Sequence, residues 1–147
     1  MSLSRQEFDQ ILKLSKEFET ADTVHLGPAP LRWERSLVAP LTKDIFRLHF
    51  WRGSIEIRKY TYNKTFRTAI VLGRFDSRGR HTNPDGTSFD GPHVHIYDEQ
   101  YGDRIAYPIS LLNLADDAGM HDTFKAFLGY FNVAPIPDVQ TSMLDMQ

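Results

Sequence analysis

"DIFRLHFWRGSIEIRKYTYN", residues 44–63, decides the fold. Apolar and polar residues alternate on both sides of Gly53-Ser54, which is the period of a half-buried strand. Glycine in the first position of a two-residue loop suits a type II′ turn, so the spacing predicts a hairpin turning on Gly53-Ser54. That turn sets Arg52 opposite Ile55, Phe50 opposite Ile57 and His49 opposite Arg58. Phe46, Leu48, Phe50, Ile55 and Ile57 then share one face; Arg47, His49, Trp51, Glu56, Arg58, Tyr60 and Tyr62 share the other. The first is the core face, because burying it removes far more apolar area from water.

Downstream, "FRTAIVLGRF" (66–75) reads as a third strand after a short turn at 63–65, and a two-residue loop there adds Ile70 and Leu72 to the core face. Upstream, Ser4 and Glu7 form a capping box before the stripe Phe8, Ile11, Leu12, Ser15 and Phe18, which predicts a helix over 4–19. Two prolines make 20–30 a loop, and "LRWERSLVA" (31–39) is a further strand. Residues 76–92 carry the turn signal Asn-Pro-Asp-Gly and read as a long polar loop, a common place for function.

In "HVHIY" (93–97), Val94 and Ile96 are the natural core residues. His93, His95, Tyr97 and Glu99 then project to the opposite face, with His49, Trp51, Arg58 and Tyr60. A second helix starts near Asp116 or Asp117, with Met120, Phe124, Phe127, Leu128 and Phe131 as its apolar stripe, and a flexible tail is expected from 136. The expectation is one α+β domain over 1–147: an antiparallel meander with an N-terminal and a C-terminal helix packed on one face, the other face open.

The chain has no cysteine, which excludes disulfides and thiolate chemistry. Its apolar runs are too short to span a bilayer and "MSLSRQEFDQ" holds no signal core, so the expected compartment is the cytoplasm. A net charge of −2 conceals nine Lys and Arg against two acids between Arg47 and Arg80. A basic block in an acidic chain is the footprint of a polyanionic partner; it is equally what solvent faces of strands look like.

His93 and His95 raise three possibilities. Alternate strand positions stand about 7 Å apart at Cα, close enough for two imidazoles to act as acid and base on one phosphodiester. Tyr97 would join them in that catalytic set. Arg47, His49, Trp51, Arg58, Tyr60 and Arg67 would hold the phosphates and bases of RNA or another single strand, with no cofactor needed. The same histidines, with His81 or Glu99, are also candidate ligands for a divalent metal. His93, His95 and Glu99 match half of the cupin pattern, but Ala106 stands where that pattern wants glycine and His121 lies in helical surroundings. The third possibility is a docking module whose basic face binds a protein partner. No phosphate-binding glycine loop, nucleophile elbow or H-E-x-x-H occurs.

Residues 81–133 add a likeness. "PHVHIY", followed by "YGD" and "AYP" and by the helix ending "FLGYFNV", resembles a family of uncharacterised bacterial and prophage proteins of about this length. That resemblance implies a bacterial or phage setting and no reaction. Pro92-His93-Val94-His95 is more loosely similar to a strand of small toxin modules, which implies action on RNA.

Overall fold

The computed structural model describes residues 2–27, 31–51, 53–62 and 67–141. In chain order the elements are α1 (Arg5–Lys13), β1 (Glu17–Phe18), β2 (Val24–His25), β3 (Arg32–Val38), β4 (Ile45–Trp51), β5 (Ser54–Tyr62) and β6 (Arg67–Asp76). They continue with β7 (Arg80–Thr82), β8 (Ser88–Asp90), β9 (His93–Ile96), β10 (Ala106–Pro108), a 3₁₀ turn at Ile109–Leu112, α2 (Met120–Tyr130) and β11 (Val139–Gln140). Seven strands form one antiparallel sheet in the order β1-β3-β4-β5-β6-β9-β10. The fold is α+β, as the alternation implies. Among the described residues no helix is long and apolar enough to cross a membrane.

The 44–63 hairpin forms, with one correction. Trp51 pairs with Ser54 and Phe50 with Ile55, so Ser54 belongs to the strand and the turn is not Gly53-Ser54. His49 accordingly faces Glu56, and Arg47 faces Arg58. Gly53, just before Ser54, has φ +78, a value L side chains rarely adopt, which is why the turn needs a glycine there. The correction moves the pairing by two places, which preserves the faces. Phe46, Leu48, Phe50, Ile55 and Ile57 are all buried.

The next pairing breaks alternation. Arg58 faces Val71 but Ile57 faces Gly73, so Leu72 is an extra residue, a β-bulge in β6. Ile70 faces the core side with Lys59, as expected, and Leu72 is itself fully buried. Beyond the bulge the faces exchange. Strict alternation from Ile70 and Leu72 would put Arg74 and Asp76 in the core. The bulge turns both onto the polar face, beside Glu56 and Ser54.

The helices cover the apolar face. Phe124 of α2 meets the Trp33 ring edge-on, and Trp33 stacks on Phe50. The capping box at Ser4 and Glu7 forms, but α1 stops at Lys13 instead of running to 19. The reason is Lys16. Its side chain is fully buried, and its ammonium donates to the carbonyls of Ile11, Leu14 and Phe131, at 2.7, 2.9 and 2.7 Å. Phe18, expected on the helical stripe, therefore lies in β1 opposite Leu37. The C-terminal helix begins at Met120, with Gly119 as N-cap, later than Asp116. Past the expected tail boundary at 136, Val139 and Gln140 pair in parallel with Val24 and His25.

Candidate functional site

The loop over 76–92 is a folded cover. β7 and β8 pair with each other around the Asn83–Thr87 turn, and Gly91 N–H donates to Gly79 O at its base. Asn83 pins this hairpin to the sheet with two bonds to Ala106: its Nδ2 donates to the carbonyl at 2.9 Å and its Oδ1 accepts the amide at 2.8 Å. Asn83→Ala should therefore leave two buried backbone groups of the sheet edge unpaired, a loss of about 1–3 kcal/mol. Hydrogen exchange of the β7–β8 amides is expected to accelerate well beyond that of β4 and β5. Uniform acceleration across the sheet would show that Asn83 supports the whole fold and not the cover.

Beneath the cover lie His93 and His95, 3% and 1% exposed. The polar face is thus closed at this end, not open as the alternation suggested. Their register sets them across from Asp76 and Arg74 respectively. Each ring is fixed by its inner nitrogen: His93 Nδ1–H donates to Gly91 O at 2.8 Å, and His95 Nδ1–H donates to Asp103 O at 2.9 Å. A carbonyl only accepts, so these bonds place a ring proton on Nδ1, and in the neutral imidazole Nε2 then carries the lone pair. Both Nε2 atoms point at one carboxylate oxygen, Asp76 Oδ2, each at 3.6 Å. Ligand atoms of the three side chains all lie within 4.8 Å of one another. Bonds of about 2.0–2.1 Å around a tetrahedral cation set its ligands about 3.3 Å apart, so little movement separates this triad from coordinating geometry.

Arg74 completes the cluster. Its Nε donates to Asp76 Oδ2 at 2.9 Å, and its Nη2 stands 3.2 Å from His95 Nε2, which accepts. Burial holds the His95 pKa down to about 4, with the charges of Arg74, His93 and His81 adding to it and Asp76 opposing. His95 is neutral at pH 7 and has no proton to donate from Nε2. That weakens an acid–base pair made of the two histidines.

The other expected members separate. His81 lies over the pair, its ring centroid 4.5 Å from that of His95 and 5.9 Å from that of His93, but its Nε2–H donates to Arg104 O. It covers the pair and lies outside the cluster that Asp76, His93 and His95 form. Tyr97 leaves the histidine face: its hydroxyl accepts Leu3 N–H at 2.6 Å and donates to Leu3 O at 2.9 Å, and its ring packs on Phe8. The reason is that β9 ends at Ile96, so alternation no longer directs Tyr97. Glu99 is exposed and accepts from Arg5 N–H, and shares no partner with the cluster. Asp76, which the alternation misplaced, takes the acid's position.

Of the cationic and aromatic set, Arg47, His49, Trp51, Arg58 and Tyr60 do share the polar face. The side chain of Arg67 lies outside the described residues. Three arginines on this face stand with acids. Arg47 pairs with Glu34 at 3.0 Å, Arg58 with the buried Glu56, and Arg74 with Asp76. The face is a ladder of alternating charge and not a bare basic patch. His49 Nδ1 lies 3.4 Å from Glu34, while its buried Nε2 has no partner among the described residues.

No curated protein and no solved structure matches the chain. The model of a family does match, over most of its length and well beyond the 81–133 segment. Residues 3–133 fit the Family of unknown function (DUF6978), and the chain belongs to that family.

Proposed function

We propose that this chain is a metalloprotein whose centre is Asp76, His93 and His95, taking a first-row divalent ion of the zinc or iron(II) kind. The observation that carries the reading is the convergence of two Nε2 lone pairs on one carboxylate oxygen, both at 3.6 Å, with both Nδ1–H groups anchored on backbone carbonyls. Anchoring the far nitrogen of a ligand histidine is how metal sites fix tautomer and ring direction. Two histidines and one carboxylate supply three ligands and leave at least one position for water or substrate, the pattern of catalytic and not structural centres. Of the possibilities raised by the sequence, this one uses the geometry most fully.

Cobalt(II) reports coordination by visible ligand-field bands. Titration should give saturable, stoichiometric uptake by the wild-type chain. Asp76→Asn should weaken it by about 10-fold or more, and His93→Ala with His95→Ala should abolish it. Uptake that survives the double histidine change would sink the reading.

A second reading, single-stranded nucleic acid, is favoured by one observation at the far end of the face. Arg32, Trp33, Glu34, His49, Trp51 and Arg58 line a cavity of about 300 Å³, and Arg32 has no acid partner among the described residues. A base stacked on Trp51 with its phosphate at Arg32 fits that chemistry. Trp51→Ala should then weaken binding of an unstructured oligonucleotide by about 1–3 kcal/mol. Absence of any binding at low salt excludes it.

A further inference from the structure

We propose that Arg74 is a competitor built into the metal centre: its guanidinium holds the ligand lone pairs when no cation is bound, and moves to Asp103 when one enters. The inference rests on the metal reading above and concerns how that site is regulated.

A single side chain spans two of the three ligands. Arg74 donates from Nε to Asp76 Oδ2 at 2.9 Å and from Nη2 to His95 Nε2 at 3.2 Å. Those are the acceptor atoms that coordination needs. A guanidinium cannot be deprotonated to make room, and two cations cannot share one carboxylate oxygen and one imidazole nitrogen at that range. Entry of a metal therefore requires Arg74 to leave.

Its next acceptor is already in place. Asp103 Oδ2 lies 3.9 Å from Arg74 Nη1, beyond hydrogen-bond distance but within reach of a small rotation. Glu56, which faces Arg74 across the strand pair, is instead engaged by Arg58. Exposure gives the direction of movement. The side chains of Arg74 and Asp103 are 28% and 39% exposed, against 4% and 1% for His93 and His95. Arg74 thus stands on the solvent side of the ligands, and Asp103 lies further out.

Such a competitor sets a threshold. Ions that bind imidazole strongly displace it, whereas hard ions such as magnesium, with little preference for imidazole, do not. The protein also keeps its site charge-balanced in the absence of metal.

Cobalt(II) titrations of the wild type, Arg74→Met, Asp103→Asn and the double variant test this. Arg74→Met should bind cobalt about 10–100-fold more tightly than the wild type. Arg74→Lys keeps the charge but not the two-point contact, and should fall between them. Asp103→Asn should weaken binding several-fold in the wild-type background and leave it unchanged in the Arg74→Met background. A direct attraction between Asp103 and the metal would instead appear equally in both backgrounds, and that result would overturn the relay. Equal or weaker binding by Arg74→Met overturns the competitor while leaving the metal centre standing. If none of these proteins takes up cobalt, the metal centre itself falls, and the inference with it.

Discussion

Replacing Lys16 by methionine is expected to destabilise the fold by about 3 kcal/mol. The ammonium is fully buried and donates to three carbonyls, those of Ile11 and Leu14 at the end of α1 and of Phe131 at the end of α2. Two helix C-termini, each with unpaired carbonyls and the negative end of its dipole, thus share one cation. Phe46 adds a ring face 5.3 Å from Nζ. Methionine fills nearly the same volume but leaves three buried acceptors unpaired, at about 1–3 kcal/mol each. Against this stands the relief of desolvation. Burial lowers the Lys16 pKa from 10.5 to about 8, equivalent to about 3 kcal/mol at 1.36 kcal/mol per unit. The lost hydrogen bonds exceed that gain. Urea unfolding at pH 7 measures the difference, and a Lys16→Met protein as stable as the wild type would mean the three carbonyls find water.

The same group gives a pH signature with a definite sign. Between about 8 and 10.5 the unfolded chain still holds the Lys16 proton while the folded chain has released it. The unfolded state then binds more protons, so stability rises with pH across that window. Below about 8 both states are protonated, and this contribution is flat. The wild-type protein should therefore gain stability relative to Lys16→Met as pH is raised from 8 to 10, and the gap between them should widen. A gap that narrows with pH would contradict the burial of a charged amine at this position.

Lys16 also shows where sequence reasoning ended. Its neighbours Ile11, Leu12, Ser15 and Phe18 fit a helical stripe, and nothing local announces that a lysine will turn inward to close two helices. That partnership spans 115 residues of sequence to Phe131. The hairpin was legible because its information is local: alternation fixed the faces, and they survived a misplaced turn. His93 and His95 were legible as a pair on one strand for the same reason. Their third partner was not. Asp76 reaches them only because Leu72 is bulged, and a bulge leaves no trace in a pattern that already reads as continuous. Glu99, chosen by its spacing from the histidines, shares their segment but not their strand, since β9 ends at Ile96.

The bulge has a counterpart on the apolar face, and it motivates the second large effect. Gly73 lies just past Leu72, opposite Ile57 on the core side, with the ring of Phe131 packed directly over it. A Cβ built at Gly73 would stand 2.3 Å from Phe131 Cζ and 2.7 Å from Cε2, far inside van der Waals contact. Phe131 is fully buried and its own carbonyl is held by Lys16, so the ring cannot simply withdraw. Overpacking of this kind costs about 1–3 kcal/mol where side chains can adjust, and more where they cannot. Gly73→Ala is expected at the upper end, about 3 kcal/mol, and Gly73→Val beyond it. Phe131→Leu alone should also destabilise, by leaving part of the ring's volume empty. Combined with Gly73→Ala it removes the atoms that clash, so the double variant should be more stable than the sum of the two single losses predicts, by about 1 kcal/mol or more. Strict additivity in urea unfolding would show that the loss at Gly73 does not come from Phe131 above it. In that case Arg74 and Asp76 owe their place on the histidine face to the strand alone, and α2 could be repacked without disturbing the cluster.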